Sequence, residues 1–370
     1  MSALGRRGSA SEQPAMGSGR AAPEYRGSMS RVGAAVRSTG TILLVLIAIL
    51  IWIRFQNPNF TDPPVFLNFV RRAAPLMILA AGQLFVVATG GFDLSVGSVV
   101  TATVVVAARY SDGDPGNTWW LIPVLILGGA AVGVVNGLVV TKLKVPSFIA
   151  TLAMLLILDG AIRYWSNGSP KGALAENLRQ FGRESWQDVP LVDVLPYAVV
   201  IMLVVAIAGT WLLAATDFGH QVLAVGGGPR ASALSGVAVH RVRILTFVVS
   251  GVLATVAGIL VAGVTGVSDK AGIGLEFRAI SAVVLGGAVL GGGVGVVPAA
   301  IIGALTLESM FTLLNLLQFA EGTRDTAQGI VIIVAVAIAA VRERYRRATP
   351  THGGAPPTGP PDLARSTARA

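Results

Sequence analysis

One carboxylate, Asp93, lies in the stretch ATGGFDLSVGSVV (88–100), which otherwise has the composition of a membrane-buried segment. An acidic side chain in such a segment can bind a substrate or relay a proton. The alternative is structural, because Asp is a favoured helix N-cap and the helix dipole stabilises its charge. We favour the cap, because no basic partner or second acid is near in sequence.

The rest of the chain offers little for catalysis. It has no cysteine, and His220, His240 and His352 lie outside the apolar runs. Acid–base chemistry or a metal centre needs embedded His, Cys or paired carboxylates, so we expect no catalytic residue, no metal and no enzyme activity. Other polar residues in apolar runs are expected to join helices to one another: Asp159, Glu308, Gln83, Asn136 and Asn315.

The composition is that of an integral membrane protein. Of 370 residues, 53% are hydrophobic and 13% are charged, whereas soluble domains carry about 25% charged residues. The mean hydropathy is +0.71. Charge-free runs such as 73–92 and 279–307 reach the length of about 20 residues that crosses a bilayer. The net charge of +9 resides in tails and short loops, which argues against nucleic-acid binding.

We predict an all-α, polytopic transmembrane helical bundle of about ten spans, some of them broken. The transmembrane domain covers 38–345, between disordered tails at 1–37 and 346–370. An Arg- and Ser-rich start is also a feature of transit peptides, which Glu12 and Glu24 disfavour. The predicted spans are 38–54, 70–89, 94–109, 119–141, 147–164, 195–215, 244–266, 277–291, 295–318 and 326–341.

The distribution of basic residues predicts the orientation. Lys and Arg collect in the tails and in the loops after the fourth and sixth spans, which places both termini in the cytoplasm. Arg71 and Arg72 are the exception, since they fall on the outer side. We expect them to snorkel from the start of the second span.

The segment around Asp93 must break. A continuous helix over residues 73–108 would be about 54 Å long, against a hydrocarbon core of about 30 Å. The pair Gly90–Gly91 offers the backbone freedom for a break. We predict that Asp93 caps a helix restarting at Leu94, with help from Ser95.

Glycines recur in two further patterns. Gly129, Gly133 and Gly137 lie on one helix face and predict close packing against another helix. The run LGGAVLGGGVGVV (285–297) predicts a turn or a broken helix, and its GGAVL echoes GGFDL at 90–94. This run contains no G-x-G-x-x-G motif, and the chain contains no Walker A motif. We therefore expect no ATP site and no cofactor.

Two polar stretches interrupt the apolar runs. The first, 165–194, is predicted to be the longest external loop. The second, 216–243, contains GGGPRASALSG, in which Pro229 suits a first helical turn and Gly236 a stop. It predicts one short cytoplasmic helix between glycine hinges, and a plain connector is the alternative.

Several stretches resemble one family in the same order along the chain. GGFDLSVGSVV (90–100) is similar to the GG-[IF]-DLSVGS pattern of the inner-membrane permeases of ABC-type sugar importers, which include ribose, xylose, arabinose and galactose permeases. The resemblance covers about 65–340 and departs from the family pattern at Gly228, where Asn is usual, and at 291–295, where Arg often interrupts the glycines. The other similar stretches are 136–155, 224–251 and 277–305.

The resemblance implies a permease subunit that carries a sugar across a bacterial inner membrane. Its implied partners are a second permease subunit, two ATP-binding cassette ATPase subunits, an external sugar-binding protein and membrane lipids. The helix break would stand beside or on the path, at Gly90, Gly91, Asp93, Ser95 and Gly97. The implied contacts with the ATPase are Gly228, Pro229, Arg230, Ala231, Leu234, Ser235 and Gly236.

Two other transporter classes stay open. One is an ABC permease for branched-chain amino acids or another small metabolite. The other is an ion-coupled secondary transporter that uses Asp93, Asp159 or Glu308 as a proton relay.

Overall fold

The computed structural model describes residues 26–190, 192–320 and scattered positions from 322 to 337, with side chains from Gly40 onward. Two short 3₁₀ turns, Pro58–Thr61 and Pro115–Asn117, and an antiparallel hairpin, β1 (Ser185–Val189) with β2 (Asp193–Pro196), accompany the α-helices. The α-helices of this part are α1 (Arg26–Gln56), α2 (Pro63–Ala88), α3 (Val96–Ser111), α4 (Thr118–Lys142), α5 (Ser147–Ser166), α6 (Glu176–Arg183), α7 (Tyr197–Ala215), α8 (Asp217–Gly227), α9 (Pro229–Leu234), α10 (Val239–Thr265), α11 (Leu275–Leu285) and α12 (Val297–Leu316).

The architecture is that of a helical multi-pass membrane protein, as predicted. Among the described residues, six helices are long and apolar enough to cross a bilayer, namely α2, α4, α5, α7, α10 and α12. The predicted number of ten spans is not confirmed. α11 has only 11 residues, or about 16 Å of helix, because it ends at Gly286 instead of continuing to 291. The predicted span 326–341 lies largely outside the described residues.

The first helix is longer than predicted. α1 begins at Arg26, so the boundary drawn at residue 37 falls inside a helix. Gly and Ser around this point are weak helix formers but do not stop a helix by themselves. The predicted tails at 1–25 and 346–370 lie outside the described part of the chain.

α2 is the central helix of the bundle. Its residues from Ala73 to Ala88 are all buried, against α7, α10, α11 and α12. α10 also packs along α4 through the predicted glycine face. There Gly129 lies against Gly251, and a Cβ on Gly133 or Gly137 would come within 2.7 Å of the α10 backbone. The close packing predicted for these glycines is confirmed.

The stretch 165–194 is more ordered than the predicted external loop. α6 docks on α10, with Gly182 directly against the Leu260 carbonyl and Gly263. The ring of Trp186 on β1 packs on Tyr197 with centroids 4.4 Å apart. In α6, Leu178 stands among charged residues, a pattern that is typical of a helix docked by one face. Leu178 is buried while Glu176 is exposed.

The bundle contains two breaks that lie side by side. One separates α2 from α3 at residues 89–95, and the other separates α11 from α12 at 286–296. The Gly293 N–H donates to the Ala88 carbonyl at 2.8 Å. The two G-G-x-x-L stretches therefore occur at neighbouring breaks.

Candidate functional site

The first break is a tight turn that ends α2 and restarts the chain as α3. The N–H groups of Gly90 and Gly91 donate back to the carbonyls of Val87 (2.9 Å) and Val86 (3.1 Å). Gly90 has φ +80°, a conformation that glycine adopts without steric cost. α3 begins at Val96, two residues later than the predicted Leu94.

Asp93 is sealed inside this turn, with 1% of its surface exposed. Its Oδ1 accepts the Ser95 N–H (3.0 Å) and the Ser95 hydroxyl (2.6 Å). Its Oδ2 accepts the Ser250 hydroxyl of α10 at 2.8 Å. The carboxylate therefore organises the turn before α3 through an Asx-type turn and also ties it to α10. The predicted N-cap is wrong in position, because Ser95 occupies the N-cap of α3 and no side chain of the described residues caps the helix there.

Side chains of three other helices brace the same turn. Gln83 of α2, with its amide in the orientation that satisfies both groups, pairs with the backbone N–H and C=O of Asp93 at 3.2 and 3.1 Å. Asn136 of α4 donates to the Ser95 hydroxyl at 2.9 Å. The interhelical role predicted for these two amides is confirmed.

Two bracing residues of α5 were missed in the sequence. The Ser147 hydroxyl accepts the Phe92 N–H, and the Thr151 hydroxyl accepts the Leu94 N–H, each at 3.0 Å. Their spacing of four residues places both on one helix face. That spacing is the only signal the sequence offered, and it is common in membrane helices.

Gly97 holds α3 against the start of α11. A Cβ on Gly97 would clash with the Glu276 carboxylate and with the Gly272 carbonyl. The Gly272 N–H donates to the Thr101 hydroxyl of α3 at 3.0 Å. Gly97 is therefore a close-packing position in the first turn of the restarted helix.

A cavity of about 430 Å³ lies beside the break. The backbone of Thr89, Gly90 and Gly91 forms part of its wall, and Asp93 does not. Three basic side chains line the other part, Lys144, His240 and Arg243. The turn, and not its carboxylate, is therefore the part of the motif that faces open space.

The segment 216–243 contains the short helix that the sequence predicted, α9, and also α8, which the sequence analysis did not predict. α8 is capped by Thr216, whose hydroxyl accepts the Gly219 N–H at 3.2 Å. α9 begins at Pro229, and the chain leaves it through Gly236 at φ +84°. Leu234 is 91% exposed at the end of α9, the highest exposed fraction among the large hydrophobic side chains of the described residues. Arg230, Ala231 and Ser235 are exposed beside it.

The end of α8 meets both breaks. We name this contact the glycine junction and define it by Ala88, Gly226, Gly227, Gly292 and Gly293. A Cβ on Gly226 would overlap the Ala88 carbonyl and the Gly293 nitrogen, and one on Gly293 would come within 2.8 Å of Gly227. Gly228, next to it, has only the Ala231 side chain nearby, at 3.7 Å. Gly226 and Gly227 therefore serve as close contacts. Of the predicted glycine hinge before α9, only Gly228 has free space around it.

The other embedded acids pair with arginines. Asp159 lies 3.2 Å from Arg163 on the surface of α5, and Glu308 lies 3.8 Å from Arg278 of α11. Glu308 thus joins two helices as predicted. Asp159 pairs within its own helix, and Asn315 is exposed near the end of α12, so neither makes the predicted contact between helices.

Comparison with known proteins identifies relatives over most of the chain. The ribose import permease protein of Escherichia coli strain K12 is 37% identical over 298 residues, covering 80% of this chain and 91% of that protein. The Bacillus subtilis strain 168 ribose import permease is 34% identical, covering 80% and 88%. The L-arabinose transport system permease protein of E. coli K12 is 31% identical, covering 89% and 98%. No solved structure shows significant similarity.

The family model described as branched-chain amino acid transport system / permease component matches residues 65–336. That range nearly coincides with the range 65–340 over which the motifs resemble sugar-importer permeases, and the resemblance is confirmed by the relatives. The chain therefore belongs to this family of ABC transport-system permeases.

Proposed function

We propose that the chain is the membrane-spanning permease subunit of an ATP-binding cassette importer that carries a sugar, with a monosaccharide as the first candidate. Support for the sugar comes from the names of the relatives, which are ribose and L-arabinose permeases. Support for the importer class comes from one structural observation: α9 presents an exposed Leu234 directly after the glycine junction. An exposed aliphatic side chain next to a packed backbone contact suits a docking partner.

The proposed assembly has four kinds of component besides lipid. This chain pairs with a second permease subunit, either identical or closely related. Two ATPase subunits contact α9 through Pro229, Arg230, Ala231, Leu234 and neighbouring residues, while an external binding protein delivers the sugar. In this assembly the permease lies in the bacterial inner membrane with both termini in the cytoplasm.

The proposed mechanism transmits motion through backbone contacts. ATP binding and hydrolysis on the partner subunits shift α9 and α8, and the glycine junction carries that shift to both helix breaks. The first break lines the cavity of about 430 Å³ through Thr89, Gly90 and Gly91, and we name this cavity the inner cavity. Two packed arrangements of these segments would give the inward-open and outward-open states, since packed interfaces switch between discrete states.

Two alternatives fit less well. A proton relay through Asp93 needs an acid that reaches water, yet Asp93 is 1% exposed and accepts three hydrogen bonds. Asp159 and Glu308 are more accessible, but each is paired with an arginine, Arg163 and Arg278. An ABC permease for branched-chain amino acids is in keeping with the family description, but the curated relatives cited above are named for sugars.

Uptake into proteoliposomes tests the proposed function. The permease, its ATPase subunits and a labelled pentose bound to the binding protein are combined, and we expect uptake only with ATP and with the binding protein present. Uptake by this chain alone, driven by a proton gradient, would contradict the proposal. Uptake of leucine but not of pentoses would retain the importer class and show that the substrate is an amino acid instead of a sugar.

Changes on α9 test its proposed contact with the ATPase. We expect Leu234→Asp or Arg230→Glu to abolish ATP-driven uptake and to weaken ATPase binding by about tenfold or more. Leu234→Asp places a carboxylate in an apolar contact, and Arg230→Glu reverses the charge that the permease presents to its partner. The measurements are co-purification of the ATPase and uptake. Both side chains are exposed, so the permease itself should remain folded.

Ala238→Asp is the matched control. Ala238 is exposed at the N-cap of α10, just outside α9, where an added carboxylate is favourable. It adds the same single negative charge as Leu234→Asp, four residues further along the chain. Equal loss of binding in this control, or normal binding and uptake in Leu234→Asp and Arg230→Glu, would refute the placement of the contact on α9.

A further inference from the structure

A second cavity, of about 540 Å³, lies between α2, α6, α10, α11 and α12. Its position along α2 is set by Arg71 and Arg72, which line it. Arg71 lies seventeen residues before Ala88 of the glycine junction, which corresponds to about 25 Å of helix. The cavity is therefore at the opposite end of the bundle from α8 and α9, and we name it the outer cavity.

The outer cavity is strongly basic. Glu308 is the only carboxylate in its wall, and the guanidinium groups in the wall are those of Arg71, Arg72, Arg179, Arg183 and Arg278. Arg71 and Arg72, which were predicted to snorkel from the start of the second span, both line this cavity, and Arg72 is exposed. Arg71 donates from its guanidinium to the backbone carbonyl of Arg183, which ties α2 to the end of α6.

The carboxylates near these arginines do not balance most of the positive charge of the arginines. Glu308 pairs with Arg278 and Glu176 with Arg179, each at 3.8 Å. No other ion pair within 4.0 Å involves a cavity arginine among the described residues. Arg278 also lies over the Phe311 ring, 4.0 Å from its centroid, which fixes its plane.

Three buried donors in the wall lack an acceptor. The Nε atoms of Arg71, Arg179 and Arg278 are buried and have no hydrogen-bond partner in the described part of the chain. A buried donor on a charged group without a partner is costly. Water can satisfy an N–H group, but it leaves the excess positive charge of a partly desolvated cavity in place.

We propose that the outer cavity is an anion-binding site that takes the carboxylate or phosphate of a small solute. Planar guanidinium groups present paired donors that match the oxygens of these anions. The volume lies in the range of small-molecule sites. A cleft lined by one sign of charge also raises the local concentration of the opposite ion.

This inference goes beyond the proposed function, because it gives the outer end of the permease a site for an acidic solute whether or not the transported sugar is itself acidic. A sugar acid or a sugar phosphate has the required chemistry, whereas a neutral monosaccharide does not use these arginines.

Isothermal titration of the full 370-residue chain in an uncharged detergent tests the site. The probes are inorganic phosphate and D-glucuronate, with D-glucose as the neutral counterpart. We expect saturable binding of both anions that weakens with added salt, and no saturable binding of glucose. The double variant Arg72→Gln/Arg183→Gln removes two exposed guanidinium groups and keeps the Arg183 carbonyl, and we expect about tenfold weaker binding from it.

The matched control is Arg109→Gln/Lys171→Gln. Both side chains are exposed outside the outer cavity, near the α3 end where Gly172 contacts the Ala108 carbonyl, so the control removes the same charge without touching the site. We expect it to bind both anions as the wild type does.

Three results would overturn the proposal. They are absence of saturable anion binding to the wild type, equal weakening by the two double variants, and competition by short-chain phosphatidylglycerol but not phosphatidylcholine. The last would assign the site to a lipid headgroup instead of a solute. No ATPase, binding protein or ATP is present, so failure here differs from failure of the uptake experiment.

Discussion

The variant Asp93→Leu is expected to lose the folded, assembled permease. Leucine accepts no hydrogen bond, so the Ser95 N–H, the Ser95 hydroxyl and the Ser250 hydroxyl lose their acceptor. Each buried group left without a partner costs about 1–3 kcal/mol, against a total stability of about 5–15 kcal/mol for a typical protein. The measurements are the yield of monodisperse protein in size-exclusion chromatography and the thermal midpoint in detergent.

Asp93→Asn is the control for this prediction. Its amide oxygen accepts the two Ser95 donors, and its NH₂ group donates to the Ser250 hydroxyl, which can rotate to accept. We expect Asp93→Asn to keep most of the assembly and most of the transport. A folded, assembled Asp93→Asn protein without transport would contradict the structural role and support direct action of the carboxylate.

The variant Gly226→Ala is expected to disrupt the glycine junction. The added Cβ overlaps the Ala88 carbonyl and the Gly293 nitrogen, and backbone atoms on both sides cannot move aside without shifting two helix breaks. Overpacking of this kind costs about 1–3 kcal/mol. We expect a lower thermal midpoint and loss of ATP-driven uptake, beyond what the stability change explains.

Gly228→Ala provides the matched comparison two residues away. Its backbone is extended, with φ 179°, and an added Cβ meets only the Ala231 side chain at 3.7 Å. We expect nearly normal stability and uptake. If Gly226→Ala and Gly228→Ala behave alike, the glycine junction does not transmit motion, and the glycines serve only as a flexible linker.

The sequence predicts much of this site because its signals are local. The apolar segment is longer than the bilayer is thick, which required a break near Gly90. The types of residue around Asp93 predicted a helix start there, although the structure makes Asp93 the acceptor of an Asx-type turn and not the N-cap. Pro229 and Gly236 marked α9, and the spacing of Gly129, Gly133 and Gly137 marked a packed helix face. Each of these signals depends on backbone geometry within a few residues.

The contacts between distant segments could not be predicted in the same way. Ser250 lies 157 residues from the carboxylate it serves, and a single serine in an apolar helix carries no sign of its partner. The junction of Gly226 with Gly293 likewise depends on how α8 meets both breaks. Arg71 and Arg72 were predicted only to snorkel, and their place in the wall of the outer cavity was not predicted, because α6, which completes that cavity, was not recognised as a docked helix.

Thiol accessibility in the inner cavity tests the coupling account most directly. The chain has no cysteine, so Val140→Cys places a single thiol in the wall of the cavity beside Gly90 and Gly91. We measure its labelling by a maleimide in the assembled transporter, without nucleotide and with ATP trapped on the ATPase. We predict a several-fold change between the two states that disappears in Val140→Cys/Leu234→Asp, whereas the same labelling rate in both states of a transport-competent protein would contradict the account.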